Sequence, residues 1–244
     1  MPVTSSGRTG VRRTRMAAGE RRAQLTTVAR GLFSEKGLGG TSIEEIAAAA
    51  GVSKPVIYEH FGSKEKLYTA VVEQESTALL RDITGALASP APARILLERA
   101  ALALLGYIEE HTQGFRILVR DAPPSDSTGS YSTILGAITR RVTHILAAEF
   151  AQRGYAERDA ALYAQMLVGM VASTGQWWLD ARTADAGPGT TAAPGKEEVA
   201  AHIVNLAWNG LTRLSAEPGL RLRGHGGPAK ENTENTDGPL DSAP

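Results

Sequence analysis

The sequence has no cysteine, which excludes disulfide bridges, thiolate-held metals and cysteine nucleophiles together. Its five histidines, His60, His111, His144, His202 and His225, lack the i, i+4 spacing and acidic partners of a zinc helix. No metal or other cofactor is therefore expected. Catalytic signatures are missing too: there is no GxSxG elbow, no phosphate-cradling GxxxxGK[ST] loop and no glycine fingerprint after a strand, so no residue is assigned a catalytic role and the chain is not read as an enzyme. The first 22 residues carry six arginines and no apolar run of signal-peptide length, and no later stretch approaches about 18 uninterrupted apolar residues. A cytoplasmic protein without a membrane span is expected. Strand-like alternation and internal repeats are absent as well, leaving an all-α chain. Net charge is also lacking, with 26 Lys plus Arg against 26 Asp plus Glu.

That neutral balance is unevenly spread. Up to Ala70 there are 11 basic residues against six acids, a net charge of +5. A positive head on a neutral chain fits a DNA-binding domain carried by a larger partner-binding body. The 244 residues, 42% of them hydrophobic, suffice for the core of one large or two modest domains.

Residues 41–67, TSIEEIAAAAGVSKPVIYEHFGSKEKL, organise the head. Thr41 followed by Glu44 reads as a capping box, each side chain satisfying a backbone donor left open at a helix start. Ile43, Ile46, Ala47 and Ala50 follow the spacing of one buried helical face, and Gly51 supplies the left-handed stop. Ser53 reads as the N-cap of a second helix with Pro55 in its first turn. Two short helices joined by a turn of about three residues are the DNA-reading arrangement.

On the second helix, 100° per residue places Ile57 and Phe61 together on the packing side and Pro55, Val56 and Glu59 opposite. Tyr58 and His60 project from the flanks, where a helix in a major groove meets the phosphate walls. Lys64 sits in the first turn of the next helix, and a helix N-terminus with a lysine attracts phosphate oxygens. Taken singly, these features belong to any short amphipathic helices of an all-α core. Together and in order, the capping box, AxxxAG turn, serine cap and Tyr-x-His-Phe-x-x-Lys carry more.

The segment GVSKPVIYEHFGSKEKL strongly resembles the recognition segment of TetR-family transcriptional regulators, and with the preceding helix the similarity covers roughly residues 21–72. The resemblance implies that Thr41, Ser53, Tyr58, His60 and Lys64 grip phosphates and that Lys54, Pro55 and Val56 lie near bases. Glu59 departs from it. A carboxylate there repels phosphates unless it reaches a cytosine amino group.

In chain order, residues 1–19 read as a disordered basic arm, 20–66 as the helix-turn-helix domain, 67–216 as a helical ligand-binding and dimerisation domain, and 217–244 as a disordered tail. Helix 1 is expected over about 20–36 with Gly37 as its stop. A fourth helix from Lys64 to about Ala88, on the order of 35 Å long, connects head to body. A short break at residues 111–114 leads to a helix from Phe115 to Arg120, then a polar loop over 121–129. Later helices are expected over 131–154, 158–181 and 197–214, with a loop over 182–196. In the penultimate one, Gly169, Ala172, Ser173 and Gln176 form a narrow small-residue stripe for a close helix approach.

Tyr107, His111, Phe115, Arg116, Tyr131, Met166, Met170 and Trp177 are candidates for a ligand cavity between body helices. Trp178 and Trp208 fit equally as interface anchors. The family resemblance implies an inducer pocket in this region and a homodimer formed through the last two helices. The expected function is a DNA-binding regulator, a repressor of an inverted-repeat operator in double-stranded DNA, released by a small, largely apolar effector. The alternative from another class is a DNA-binding adaptor or architectural protein whose body binds a protein partner.

Overall fold

The computed structural model describes residues 17–120, 131–184, 192–215 and 218, without the side chains of residues 131 and 132. The expected arm up to residue 16, the polar loop over 121–129, most of the tail and the side chain of Tyr131 lie outside the described residues. Every regular element among the described residues is helical: α1 (Ala18–Gly40), α2 (Ile43–Ala50), α3 (Lys54–Phe61), α4 (Lys64–Ala86), α5 (Ala93–Glu110), α6 (Thr112–Arg120), α7 (Tyr131–Arg153), a 3-10 turn (Glu157–Asp159), α8 (Ala160–Thr183) and α9 (Lys196–Leu211).

The head closes on α1, whose Leu25, Ala29 and Phe33 are buried. Gly37 stops the regular part of that helix at φ 72°, and only a short irregular turn continues to Gly40. A left-handed φ costs glycine little because it has no Cβ. The capping box of α2 sits one residue later than Thr41 and Glu44. Ser42 is the N-cap, its hydroxyl accepting from the Glu45 N–H, while the Glu45 carboxylate accepts from the Ser42 N–H at 2.9 Å. Thr41 is buried, and its hydroxyl donates to the Gly37 carbonyl at 2.8 Å. The threonine thus ties off the open carbonyls of α1 instead of starting α2.

The connecting helix α4 buries the stripe its sequence pattern foretells. On α4, Tyr68, Val71, Val72, Leu79 and Ile83 are buried, and Leu87 follows at the helix end. Each such side chain contributes about 1.5–3 kcal/mol. Because α4 begins beside α1 and ends beside α5 and α7, one hydrophobic cluster runs from Leu25 in the head to Ile203 in α9. The α5 helix packs against α4, α6, α8 and α9, as its nearly uniform apolar sequence requires.

Close approach to α5 falls on Gly175 of α8, where an added Cβ would stand 2.9 Å from Ile108 Cδ1. The expected small-residue stripe lies elsewhere: Ala172 is buried, but Gly169 and Ser173 are exposed. The helix is rotated relative to that expectation because Ala164, Val168 and Trp178 take the inner face. His111 alone interrupts the chain between α5 and α6, so α6 starts at Thr112, ahead of Phe115.

Candidate nucleic-acid interface and effector cavity

The recognition helix α3 keeps Ile57 and Phe61 buried and presents Ser53, Lys54, Pro55, Tyr58 and Glu59 to solvent, with Val56 and His60 half-buried at the edge. Tyr58 is 50% exposed, a high value for an aromatic ring in a small domain. Ser53 occupies the N-cap position, but its side chain makes no capping bond. Its hydroxyl is thereby left to another acceptor or donor. Lys54 forms an ion pair with Glu44 of α2, and that bond holds the Glu44 carboxyl below its usual range.

Two further contacts fix the angle of α3. Arg22 donates to the His60 carbonyl at 2.6 Å, and its guanidinium lies 4.2 Å from the centre of the Phe61 ring, a cation–π arrangement. Lys64 donates to the carbonyls of Leu38 and Thr41, each at 2.9 Å. Its ammonium therefore spends two of three protons on the end of α1, leaving one. Thr41, expected to offer a hydroxyl to phosphate, turns that hydroxyl inward. Tyr58, Ser42, Ser63 and Lys64 surround a shallow depression where the N-termini of α2 and α4 converge. Ser42 escaped the sequence reading, although its spacing to Glu45 satisfies the same capping rule as Thr41 with Glu44.

In the body, Tyr107, His111 and Phe115 come together. The Tyr107 ring stacks on His111 at 4.9 Å and stands edge-on to Phe115 at 6.5 Å. They enclose a side chain instead of open space: the Tyr107 hydroxyl lies 2.8 Å from the carboxylate of Glu75, which is 2% exposed. Burial first, and the neighbouring charge of Glu75 second, push the Tyr107 phenol far up, so it remains a protonated donor. Arg116 is half-buried on α6, Met170 half-buried on α8, and Met166 and Trp177 lie outside on α8, each 55% exposed. Trp178 is fully buried and donates to the Pro194 carbonyl at 2.8 Å.

A separate apolar cavity lies between the distal half of α4 and helices α5, α7, α8 and α9. Ile83 and Leu87, Leu96, Leu97 and Ala100, Ile138, Val142 and Ile145, Val168 and Val171, and Trp208 line it, with no charged side chain among the described residues. Its clear volume is about 100 Å³, within about 800 Å³ of loosely filled space partly open to solvent. None of the seven candidates whose side chains are described lines it; Met170 and Trp177 instead border a second hollow with His202 and Leu206, between α8 and α9. Among the described residues no cluster of His, Asp and Glu could hold a metal ion, and no helix is long and apolar enough to cross a membrane.

Residues 25–71 match the family of bacterial regulatory proteins, tetR family, and residues 94–210 match the tetracyclin repressor-like C-terminal domain. The chain is 29% identical over 203 residues to the HTH-type transcriptional activator FasR of Mycolicibacterium smegmatis, covering 82% of this chain and 87% of that protein. It is 34% identical over 147 residues to the HTH-type transcriptional repressor Rv3405c of Mycobacterium tuberculosis, covering 55% of this chain and 72% of that protein. A TetR-like transcriptional regulator from Rhodococcus sp. RHA1 superposes with a TM-score of 0.61 at 25% identity, over 82% of this chain and all of that one. Matches to both halves, relatives along most of the length and a shared all-helical fold agree with the geometry of α2 and α3: the chain belongs to the TetR family and is a DNA-binding transcriptional regulator, not an enzyme.

Proposed function

We propose that this regulator is a cytoplasmic repressor that binds an inverted-repeat operator as a homodimer and leaves it when an uncharged, largely apolar small molecule enters the cavity beside α4. The observation that carries the reading is that the cavity touches Ile83 and Leu87 of α4, the same helix whose first turn bears Lys64 at the DNA-facing surface. A molecule larger than the clear volume has to push α4 away from α5 and α7, which tilts the head. Recognition helices of a dimer must match about one DNA turn, roughly 34 Å, so a tilt at both heads cannot be absorbed.

Dimerisation has support in an apolar face that no described residue covers. Leu162, Met166 and Trp177 of α8 and Leu206 of α9 are 55–67% exposed, and such residues in a group mark an interface. On DNA, Tyr58, the remaining proton of Lys64 and the backbone amides starting α2 and α4 grip phosphates. Lys54, Pro55 and Val56 face bases. Ser53 and His60 lie beside them, and Thr41 acts by holding the end of α1.

Selection from a random-sequence duplex pool with the full chain is expected to return an inverted repeat bound by two chains in sedimentation. A single half-site, or one chain per duplex, overturns the dimeric reading. Filling the cavity with Ala100→Phe is expected to mimic the ligand and weaken the selected duplex. Unchanged affinity overturns release through the cavity and favours a body that binds a protein partner.

A further inference from the structure

The cavity does not touch the head, yet a buried polar joint lies between them. Glu75 of α4 carries a carboxylate that is buried, with Ser76, between the apolar turns of Val71–Val72 and Leu79. One of its oxygens accepts from Arg30 of α1 at 3.1 Å, and the other accepts from the Tyr107 hydroxyl of α5 at 2.8 Å. The backbone of α6 closes the fourth side, since a Cβ on Gly114 would fall 1.9 Å from the Glu75 Oε2. One carboxylate thus touches the head helix, the connecting helix and two body helices.

Such a group is a poor way to gain stability. Removing a charge from water is costly, and apolar isosteres of buried ion pairs are often at least as stable. What the arrangement provides is direction, because hydrogen bonds tolerate only a few tenths of an ångström where apolar contacts slide. Arg30 is also incompletely satisfied, its Nε being buried without a hydrogen-bond partner among the described residues.

The joint stands in line with the cavity. Ile83 lies eight residues beyond Glu75 on α4, about 12 Å, and Ala100 lies seven residues before Tyr107 on α5, about 10 Å. Both helices that hold the joint therefore line the cavity at their other ends. Separating α4 from α5 at the cavity pulls the Tyr107 hydroxyl off the carboxylate. Glu75 is then left with Arg30 alone, and α1 shifts with it.

We propose that Glu75 is a positioning residue for DNA binding, and that the Arg30–Glu75–Tyr107 joint is where opening of the cavity becomes reorientation of the head. This rests on the cavity-release reading above, and the test separates the two. In the full chain, Tyr107→Phe keeps the ring stacked on His111 and removes only the bond to Glu75. Affinity for the duplex selected by the unaltered protein is measured for Tyr107→Phe, Ala100→Phe and the double variant. We expect Ala100→Phe alone to weaken the duplex by about fivefold or more, the low end of typical coupling factors. In the Tyr107→Phe background it should weaken it less than twofold. Glu75→Gln serves as a second background should Tyr107→Phe prove unstable, with the same expectation. Equal weakening in the unaltered protein and in both backgrounds overturns the joint while leaving release through the cavity standing. No weakening in the unaltered protein removes the release reading and the joint together.

Discussion

Ser42 and Glu45 show how one position decides the start of a helix. The sequence offers two overlapping boxes, Thr41 with Glu44 and Ser42 with Glu45, and local spacing cannot choose between them. The choice is made at a distance, because the buried Thr41 hydroxyl is claimed by the Gly37 and Leu32 carbonyls beyond the kink in α1. The bond from Lys36, and next the Ser42 amide, lower the Glu45 carboxyl from 4.5 to about 2. A depressed folded value stabilises above the unfolded value and is lost as pH falls through the folded one. Thermal melts should therefore show the Glu45 contribution intact above pH 4.5 and fading towards pH 2, and Glu45→Gln should flatten that window. An identical acid profile for the two proteins counts against the Lys36–Glu45 bond as the main cause of the lowered carboxyl, since glutamine can keep the capping box. The two residues expected to grip phosphates from either side of the depression should also differ. Tyr58→Ala is expected to weaken all duplexes alike without moving Tm, since the ring is solvated. Lys64→Met is expected to lower both, because its ammonium also holds the end of α1; a Tm unchanged in Lys64→Met would show those two carbonyl bonds to be dispensable.

At the scale of the element, the helical period was legible nearly everywhere, and its phase failed on α8. The apolar stripes of α1, α2 and α4, and the described part of that of α7, are buried or half-buried where spacing places them. On α8 small residues occur on several sides, and only the neighbours on α5 reveal which glycine is pressed. Gly175→Ala meets Ile108 Cδ1 at 2.9 Å and Leu104 Cδ2 at 3.2 Å. We expect it to destabilise the protein by about 1–3 kcal/mol, as overpacking does. Gly169→Ala has nothing within 4 Å of the new Cβ and should stabilise by up to about 1 kcal/mol through helix propensity. Denaturant midpoints in the reverse order would reject the phase assigned to α8.

Over the whole molecule, the head was readable because its function is spelled in a contiguous segment, whereas the body's cavity is assembled from five helices. An apolar residue that fills a core and one that borders a gap carry the same pattern. Of the candidates, Tyr107, His111 and Phe115 form the packed cluster around Glu75, Met170 and Trp177 border a hollow between α8 and α9, and Met166 is exposed on α8. Trp208 now offers a way to watch the cavity without knowing its ligand, since it lines that space and the head contains no tryptophan. If opening of the cavity and DNA binding oppose each other, linkage works in both directions. Saturating the protein with its selected duplex must then draw the cavity towards its closed form and shift tryptophan emission. Trp208→Phe should abolish that shift, and a scrambled duplex at the same ionic strength should produce less of it. Emission that ignores the selected duplex would mean that the cavity and the recognition helix do not communicate.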